Sequence, residues 1–233
     1  MQVAYQFHFD NGQEKRFTLT LDPVSLESVD PLPANLPAWT ALGFEQCVHC
    51  PLDVAKTPLC PLAARISQAV DVFEDVLSHD KVEVVVLTDE REVRVTTTAQ
   101  RATSALLGLI SATSACPYTV YLKPMARFHL PFASEEETIY RAVTMYLLAR
   151  YFQKGDSDRL DARLEGLTSI YRNLQIVNAA TARRLRAASQ EGDAAVNAII
   201  LLDLYAKALP AVIADSVDEV RYLFRDYLQP PGS

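Results

Sequence analysis

The chain has 233 residues, of which 49% are hydrophobic and 22% are charged. This balance is typical of a globular protein and excludes an intrinsically disordered one. The length suffices for one large domain or two small ones, and the net charge of -7 argues against diffuse binding to nucleic acid.

The sequence also carries signals about the compartment. The N-terminus lacks the basic and apolar regions of a secretory signal peptide. The longest apolar runs, such as residues 198–202, are much shorter than a bilayer span. We therefore expect a cytoplasmic protein of bacterial type without a membrane partner. In that reducing compartment, cysteines bind metals more often than they form disulfides.

Two segments have the alternating pattern of antiparallel hairpins. Residues 2–22 alternate apolar and polar side chains on either side of an Asn-Gly pair, which is the strongest short hairpin signal. Residues 82–87 and 93–98 predict a second hairpin across a short polar turn. Between the two hairpins, residues 23–43 are too rich in proline for a helix or an inner strand.

The segments around the hairpins have helical spacing of their apolar side chains. Residues 62–77 form one such stripe, with Pro61 acceptable at a helix start, and residues 99–114 form another. After the second helix, residues 118–122 predict a short strand. The segment from 123 to 132 is bounded by prolines and predicts an ordered loop.

The remainder of the chain predicts helices. Ser134 and Glu137 have the spacing of a capping box and open the first helix. The fold class is therefore α+β, with N-terminal antiparallel hairpins and helices followed by a helical C-terminal half. We divide the chain into regions 1–132 and 133–233, packed as one compact unit. The later helices are expected at about 158–188 (with an interruption near 173–178), 192–208 and 216–228.

Four cysteines give the clearest functional signal. Cys47, Cys50 and Cys60 lie within fourteen positions, and Cys116 follows the second predicted helix. A Cys-x-x-Cys turn can chelate one ion, and four thiolates make a tetrahedral ligand set for a soft metal. Proline follows Cys50, Cys60 and Cys116, as is common at iron–sulfur ligands. We predict that the four cysteines bind an iron–sulfur cluster, such as a 4Fe–4S cluster, in preference to zinc.

Other interpretations of these cysteines stay open. Zinc ribbons usually have two Cys-x-x-Cys turns and this chain has one, while ferredoxin spacing is not matched either. A thioredoxin-like dithiol would leave Cys60 and Cys116 unexplained. All four could also be buried core thiols. His49 could substitute as a ligand, but we interpret it as an exposed turn residue.

A fully thiolate-bound metal has no open position for hydrolytic catalysis. The expected role is therefore redox- or metal-responsive sensing, electron handling or regulatory binding of a partner. The helical half would present the surface for a protein partner or for self-association. We do not expect this site to make the protein an enzyme.

An alternative is an enzyme in which the metal is only structural. Lys123, Arg127 and His129 lie close together in sequence, before an acidic helix start, and could form a site for an anionic substrate. The simpler interpretation is that Arg127 pairs with the acidic helix start. A second basic group, Arg183, Arg184 and Arg186, is interpreted as a solvated helix face.

The motifs extend over most of the chain. They are Cys-x-His-Cys-Pro-Leu at residues 47–52, a later Cys-Pro, Ala-Cys116-Pro, and Lys-Pro-Met-Ala-Arg-Phe-His-Leu-Pro-Phe at residues 123–132. With these motifs the chain resembles an uncharacterised bacterial domain family without an assigned activity. The resemblance implies a family-wide pattern of four cysteines and a cytosolic protein, and it supplies no substrate.

Overall fold

A computed structural model describes residues 1–73, 75–153, 164–188, 195–200, 202–203, 206–207, 217–224 and 228. The architecture is α+β, as predicted: a four-stranded antiparallel sheet lies in the N-terminal part and helices follow it. The strand order in the sheet is β2–β1–β3–β4. The strands are β1 (Gln2–Phe9), β2 (Glu14–Thr20), β3 (Lys81–Thr88) and β4 (Glu92–Thr98).

Both predicted hairpins are confirmed. Alternation along β1 places Val3, Tyr5 and Phe7 on one face, where all three are fully buried. Tyr5 lies opposite Phe17 of β2 and opposite Val86 of β3, so the two hairpins join along β1 and β3 into one sheet with an apolar face. The helices that follow the strands in sequence pack against this face.

The helices are α1 (Pro61–Val72), α2 (Ala99–Thr113), α3 (Lys123–Arg127), α4 (Glu135–Gln153) and α5 (Glu165–Ala188). The capping box at the start of α4 is confirmed in both directions. The Ser134 amide donates to the Glu137 carboxylate at 2.7 Å, and the Glu137 amide donates to Ser134 Oγ at 3.1 Å. The two reciprocal bonds satisfy amide groups that would otherwise be unpaired at the helix end.

The predicted strand at residues 118–122 is wrong. The segment is a turn followed by a 3₁₀ helix at Val120–Leu122. The amides of Thr119 and Val120 both donate to the Cys116 carbonyl, at 3.1 and 3.2 Å, and Thr119 Oγ1 donates to the Ser111 carbonyl at 2.5 Å. These local bonds fold the segment back on the end of α2. The predicted loop at 123–132 likewise contains the short helix α3.

The helical half agrees in part with its prediction. Helix α5 runs without the interruption expected near residues 173–178, because its apolar stripe continues through Leu174 and Val177 into the core. The start expected at 158 lies outside the described residues. Within the region expected at 192–208, the described residues are helical. In the last expected helix, Val217–Phe224 is a 3₁₀ helix.

The main core lies between the sheet and helices α1, α2 and α5. It contains residues from both sides of position 132, for example Leu106 of α2 and Leu185 of α5. A smaller cluster joins α4 to α5 through Ile139, Leu167 and Leu174. None of the helices in the described part of the chain is both long and apolar enough to cross a bilayer.

Candidate metal centre

The loop that carries the first three cysteines is closed at its base by backbone pairing. Ala41 and Leu59 form an isolated antiparallel bridge. The Leu42 amide donates to the Pro58 carbonyl, and the Cys60 amide donates to the Thr40 carbonyl, both at 2.8 Å. This pairing fixes Cys60 at the N-cap of α1, directly before Pro61. We call residues 41–60 the cysteine loop.

Cys47 and Cys50 lie in a tight turn within the cysteine loop. The Cys50 amide donates to the Cys47 carbonyl at 2.9 Å, and Gln46 Nε2 donates to the Leu52 carbonyl at 3.1 Å across the same turn. Glu45, just before the turn, has a positive φ of 44°. These contacts hold the two cysteines on one short stretch of backbone, as a chelating turn requires.

Cys116 reaches the same region from the end of α2. Ala115 has a positive φ of 64°, which turns the chain sharply after the helix. The Cys116 amide then donates to Ser114 Oγ at 3.4 Å. The side chain of Cys116 is buried in the main core, and Cys47 and Cys60 pack against that core. Cys47, Cys60 and Cys116 therefore all contact the main core.

The thiols act on one another electrostatically. Burial, together with the negative charges that Cys60, Cys116 and Cys50 would carry as thiolates, raises the pKa of Cys47 to about 11. Burial is also the main cause of the raised pKa of Cys116, to which Cys60 adds. At neutral pH the metal-free Cys47 and Cys116 therefore carry protons. A metal would have to displace these protons to bind.

The four thiols do not form a ready-made ligand set. Among the described residues, no group of three or more Cys, His, Asp or Glu side chains has an arrangement that could hold a metal ion. Electrostatic interactions act over longer distances than a coordination bond. The thiols can therefore shift the pKa of Cys47 without forming a metal-binding group. The four thiols are not clustered, so metal binding would require them to move closer together.

His49 is not the exposed turn residue that the sequence suggested. Its ring stacks on Tyr118 with the ring centroids 3.9 Å apart and the planes at 6°. The Tyr118 hydroxyl donates to the backbone carbonyl of His49 at 2.6 Å. Both ring nitrogens of His49 are buried and have no partner in the part of the chain that the structure describes. An unpaired buried imidazole is costly, and it lies between two of the predicted ligands in sequence.

Arg184 is a second polar residue that the sequence interpretation misplaced. It is 3% exposed, not solvated. Its guanidinium donates to the carbonyls of Trp39, Ala41 and Leu42 at 2.6, 2.7 and 3.0 Å, and its charge acts on Cys47 to lower the pKa. No carboxylate in the described part of the chain forms an ion pair with it. Arg184 thus places a buried positive charge beside the cysteine loop.

The helical period explains why Arg184 is buried. It follows Val177 and Thr181 at the spacing of one helix face, and both of those residues are buried. Arg183 lies on the adjacent face and pairs with Glu45 of the cysteine loop at 2.6 Å. This spacing was available in the sequence. The interpretation as a solvated arginine cluster is wrong because Arg184 lies on the buried stripe of the helix.

The three residues of the predicted anion site have separate partners. Lys123 pairs with Glu27 at 2.9 Å, and Arg127 pairs with Glu90 at 3.3 Å instead of with the acidic start of α4. His129 is bound to the Tyr5 hydroxyl at 2.5 Å. Arg127 and His129 border a small cavity of about 90 Å³, which Lys123 does not line.

His129 is neutral in the folded protein. Burial and, to a smaller extent, the positive charge of Arg141 lower its pKa to about 4. Burial also raises the pKa of Tyr5 well above its usual value, so the Tyr5 hydroxyl keeps its proton and hydrogen-bonds to His129 Nε2 as a neutral group. This residue cannot supply positive charge to an anion at neutral pH.

Comparison with known families agrees with the resemblance noted from the sequence. A family model described as a domain of unknown function (DUF6901) matches residues 3–225. Nothing among the curated proteins and nothing among the solved structures matches the chain. The matched range contains all of the sheet except Gln2, the four cysteines and helices α1 to α5.

Proposed function

Since the chain belongs to DUF6901, a family of unknown function, we propose a function from the residues of this chain alone. It is a cytosolic metal-binding protein in which Cys47, Cys50, Cys60 and Cys116 together hold one iron–sulfur cluster or one zinc ion. The centre serves redox- or metal-responsive sensing, electron handling or regulatory binding. The proposal assigns no catalytic residue.

The observation that carries the proposal is the buried Arg184, whose charge acts on Cys47, the thiol on which the other three cysteines also act. Four thiolates around a divalent zinc ion, or around a cluster with two positive charges, leave a net negative charge on the site. A buried charge is stable only when an opposite charge or hydrogen bonds compensate it. Arg184 has carbonyl partners but no ion-pair partner among the described carboxylates. A negatively charged metal centre supplies that partner.

Two further features suit thiolate ligands. Cys60 is the N-cap of α1 and makes no side-chain cap hydrogen bond, so its sulfur lies where the helix dipole favours a negative charge. The amides of Tyr118 and Thr119 act on the Cys116 sulfur and lower its pKa, against the effect of burial. Amide donors of this kind surround cluster sulfurs and tune their potential. Together with the Cys-Pro pairs, they favour a cluster over zinc.

Three of the four thiols have only intermediate burial, and this bears on the role of the centre. A centre close to the surface can exchange electrons or respond to oxidants, whereas a deeply buried one is insulated. The interaction surface for a protein partner or for a second copy is assigned to the helical half.

The experiment is metal analysis of protein purified without oxygen, together with its absorbance spectrum. We expect iron and sulfide with broad absorbance near 400 nm for a cluster, or about one zinc per chain and no colour for the zinc form. Replacing Cys60 or Cys116 by serine should abolish retention of the metal. Val48→Ala is the matched control, because Val48 lies between Cys47 and Cys50 yet is 90% exposed and offers no ligand.

The outcomes separate the proposal from its alternatives. Wild-type protein without iron or zinc, and unable to take up either anaerobically, would overturn the proposal and favour four structural core thiols. Equal metal content in wild type and in Cys116→Ser would reduce the site to the cysteine loop alone. Loss of metal in Val48→Ala would indicate that the assay reports unfolding and not loss of a ligand.

A further inference from the structure

A cleft of about 250 Å³ lies among helices α2, α3, α4 and α5. The cysteines do not line it, so it is separate from the proposed metal centre. Most of its wall is apolar and comes from several elements, including Leu109 of α2, Met125 of α3, Phe132 before α4 and Leu174 of α5. A concave apolar wall with a few polar groups is the usual form of a small-molecule site.

The charges on the wall have one sign. Its charged side chains are Arg101 and Arg141, and no aspartate or glutamate is present among the described residues that line it. The whole chain has a net charge of -7, so an acid-free wall with two arginines departs from the average surface. Positive charge on a partly enclosed wall raises the local concentration of anions.

Arg141 uses only part of its guanidinium to hydrogen-bond with the described residues. Through Nη2 it donates to the carbonyls of Met125 and Phe128, at 2.9 and 3.0 Å, and none of the described carboxylates forms an ion pair with it. Glu137, a nearby acid that acts on its charge, is engaged in the capping box with Ser134. Among the described residues no acceptor binds the other N–H groups of the guanidinium, so they can bind a planar anion, which a guanidinium does in a bidentate manner.

Tyr171 supplies a second donor next to Arg141. The two side chains act on each other electrostatically, and the Arg141 charge opposes the rise in the pKa of Tyr171, to about 12, that burial causes. Tyr171 is 5% exposed and lines the cleft. A phenol hydroxyl on the wall of a cleft, beside an arginine, can donate a hydrogen bond to a bound ligand. A carboxylate oxygen is a suitable acceptor.

We propose that this cleft binds a small apolar carboxylate, with the carboxylate on Arg141 and Tyr171 and the apolar body between α2 and α5. An apolar cavity of about 150 Å³ holds benzene. By proportion, the cleft of 250 Å³ holds a ligand of about ten non-hydrogen atoms. Aryl-acetic acids and medium-chain fatty acids have this size and charge.

The test uses phenylacetate as the probe and phenylacetamide as its uncharged counterpart of the same size. Binding to the full-length chain is measured by calorimetry or by ligand-observed NMR. We expect phenylacetate to bind at least tenfold more tightly than phenylacetamide. Tyr171→Phe removes one hydroxyl and keeps the ring, so it should weaken phenylacetate binding by about tenfold and leave phenylacetamide binding unchanged.

Two more variants distinguish an effect on the cleft from a general effect on folding. Gly108→Leu should fill the cleft and abolish binding of both compounds. Among the described residues, only Leu202 lies within 4 Å of a β-carbon at Gly108, at 3.7 Å, and a leucine suits the helix. Tyr146→Phe is the matched control for Tyr171→Phe, since Tyr146 packs between α4 and α5 without lining the cleft. Its binding of phenylacetate should equal that of wild type.

Three results would overturn the proposal. These are equal binding of phenylacetate and phenylacetamide, unchanged phenylacetate affinity in Tyr171→Phe, and absence of binding by either probe. Tighter binding of phenyl phosphate than of phenylacetate would also reject the carboxylate assignment and leave only a general anion site.

Discussion

At the scale of single residues, the most informative charged and polar side chains near the proposed centre are buried. Their immediate neighbours in the sequence do not distinguish them from surface residues. Arg184 lies in a run of three arginines, and His49 lies in a turn. The sequence predicts a site at the four cysteines because four thiols at such spacing are unusual. Helical spacing indicates the burial of Arg184, but its carbonyl partners and the stacking of His49 on Tyr118 depend on contacts between segments distant in the chain. No local pattern encodes these contacts.

The first prediction concerns Arg184. Arg184→Met removes a positive charge beside Cys47 together with three bonds to loop carbonyls. We expect it to weaken metal binding by about 10- to 100-fold, the range typical of residues that support metal ligands. Arg184→Lys should retain part of the affinity because it keeps the charge. Competition with a chelator of known affinity measures the effect.

Arg183→Met is the matched control for Arg184. Arg183 pairs with Glu45 at the surface, where an ion pair contributes about 0–1 kcal/mol. Metal affinity should therefore change little in this variant. Equal losses in the two variants would mean that helix α5 acts only by packing and that the buried charge has no special role.

The second prediction concerns His129 and pH. The pKa of His129 is lowered to about 4 in the folded protein, against an ordinary value of 6.5. Below pH 6.5 the unfolded chain binds a proton at this residue that the folded chain refuses, so the free energy of unfolding falls as the pH decreases from 6.5 to 4. The shift corresponds to about 3 kcal/mol. Denaturant titrations at several pH values measure it.

Substitutions isolate the contribution of His129 to this slope. His129→Gln should flatten the pH dependence between pH 6.5 and 4, whatever its effect on stability at pH 7. His8→Gln is the control, since His8 lies on the more exposed face of β1, next to Glu14. If the slope in His129→Gln were as steep as in wild type, burial of a neutral His129 would not be its origin.

At the scale of elements, local signals predict well and long-range ones do not. The hairpins and the capping box at Ser134 follow from a few neighbouring residues, and both are confirmed. The joining of β1 to β3 depends on strands more than seventy positions apart, and no local pattern indicates it. Residues 118–122 have the composition of a strand, yet the Cys116 carbonyl and Ser111 hold them in a turn.

The third prediction compares two glycines at helix contacts. A β-carbon at Gly166 would run into the Tyr146 ring, whereas at Gly108 it would meet only Leu202, at 3.7 Å. We expect Gly166→Ala to destabilise the protein by about 1–3 kcal/mol through overpacking. Gly108→Ala should stabilise it by up to about 1 kcal/mol, the gain in helix propensity. Denaturant unfolding of both variants measures these changes in the free energy of unfolding.

Tyr146→Phe removes the atom nearest to the β-carbon at Gly166. In that background Gly166→Ala should cost less, and the double-mutant cycle gives the coupling energy. An unchanged loss of stability would show that the contact between α4 and α5 accommodates the added methyl group without a change at Tyr146.

At the scale of the whole molecule, the proposed centre joins parts of the chain that are far apart in sequence. The cysteine loop, the end of α2 and helix α5 meet beside the main core, which itself contains residues from both halves. A metal that bridges Cys60 and Cys116 would link these segments directly. Since the protonated thiols are not preorganised, binding of the metal and tightening of this region are coupled.

The fourth prediction follows from this coupling. Cys60→Ser should lower the midpoint of thermal unfolding by about as much as removal of the metal from wild type lowers it, because both remove the same link. Chelator should then have no further effect on Cys60→Ser. A chelator that destabilises this variant as strongly as wild type would show that the stabilising metal binds elsewhere.

The most direct measurement of the central claim is X-ray absorption spectroscopy at the metal edge of the loaded protein. We predict a first shell of sulfur only, with four sulfurs at about 2.3 Å from zinc, or, for a cluster, iron–sulfur and iron–iron scattering without nitrogen ligands. The same spectrum on Cys116→Ser should show a loss of sulfur. A first shell with an imidazole nitrogen and three or fewer sulfurs would contradict the account, because His49 would then replace one of the four thiols.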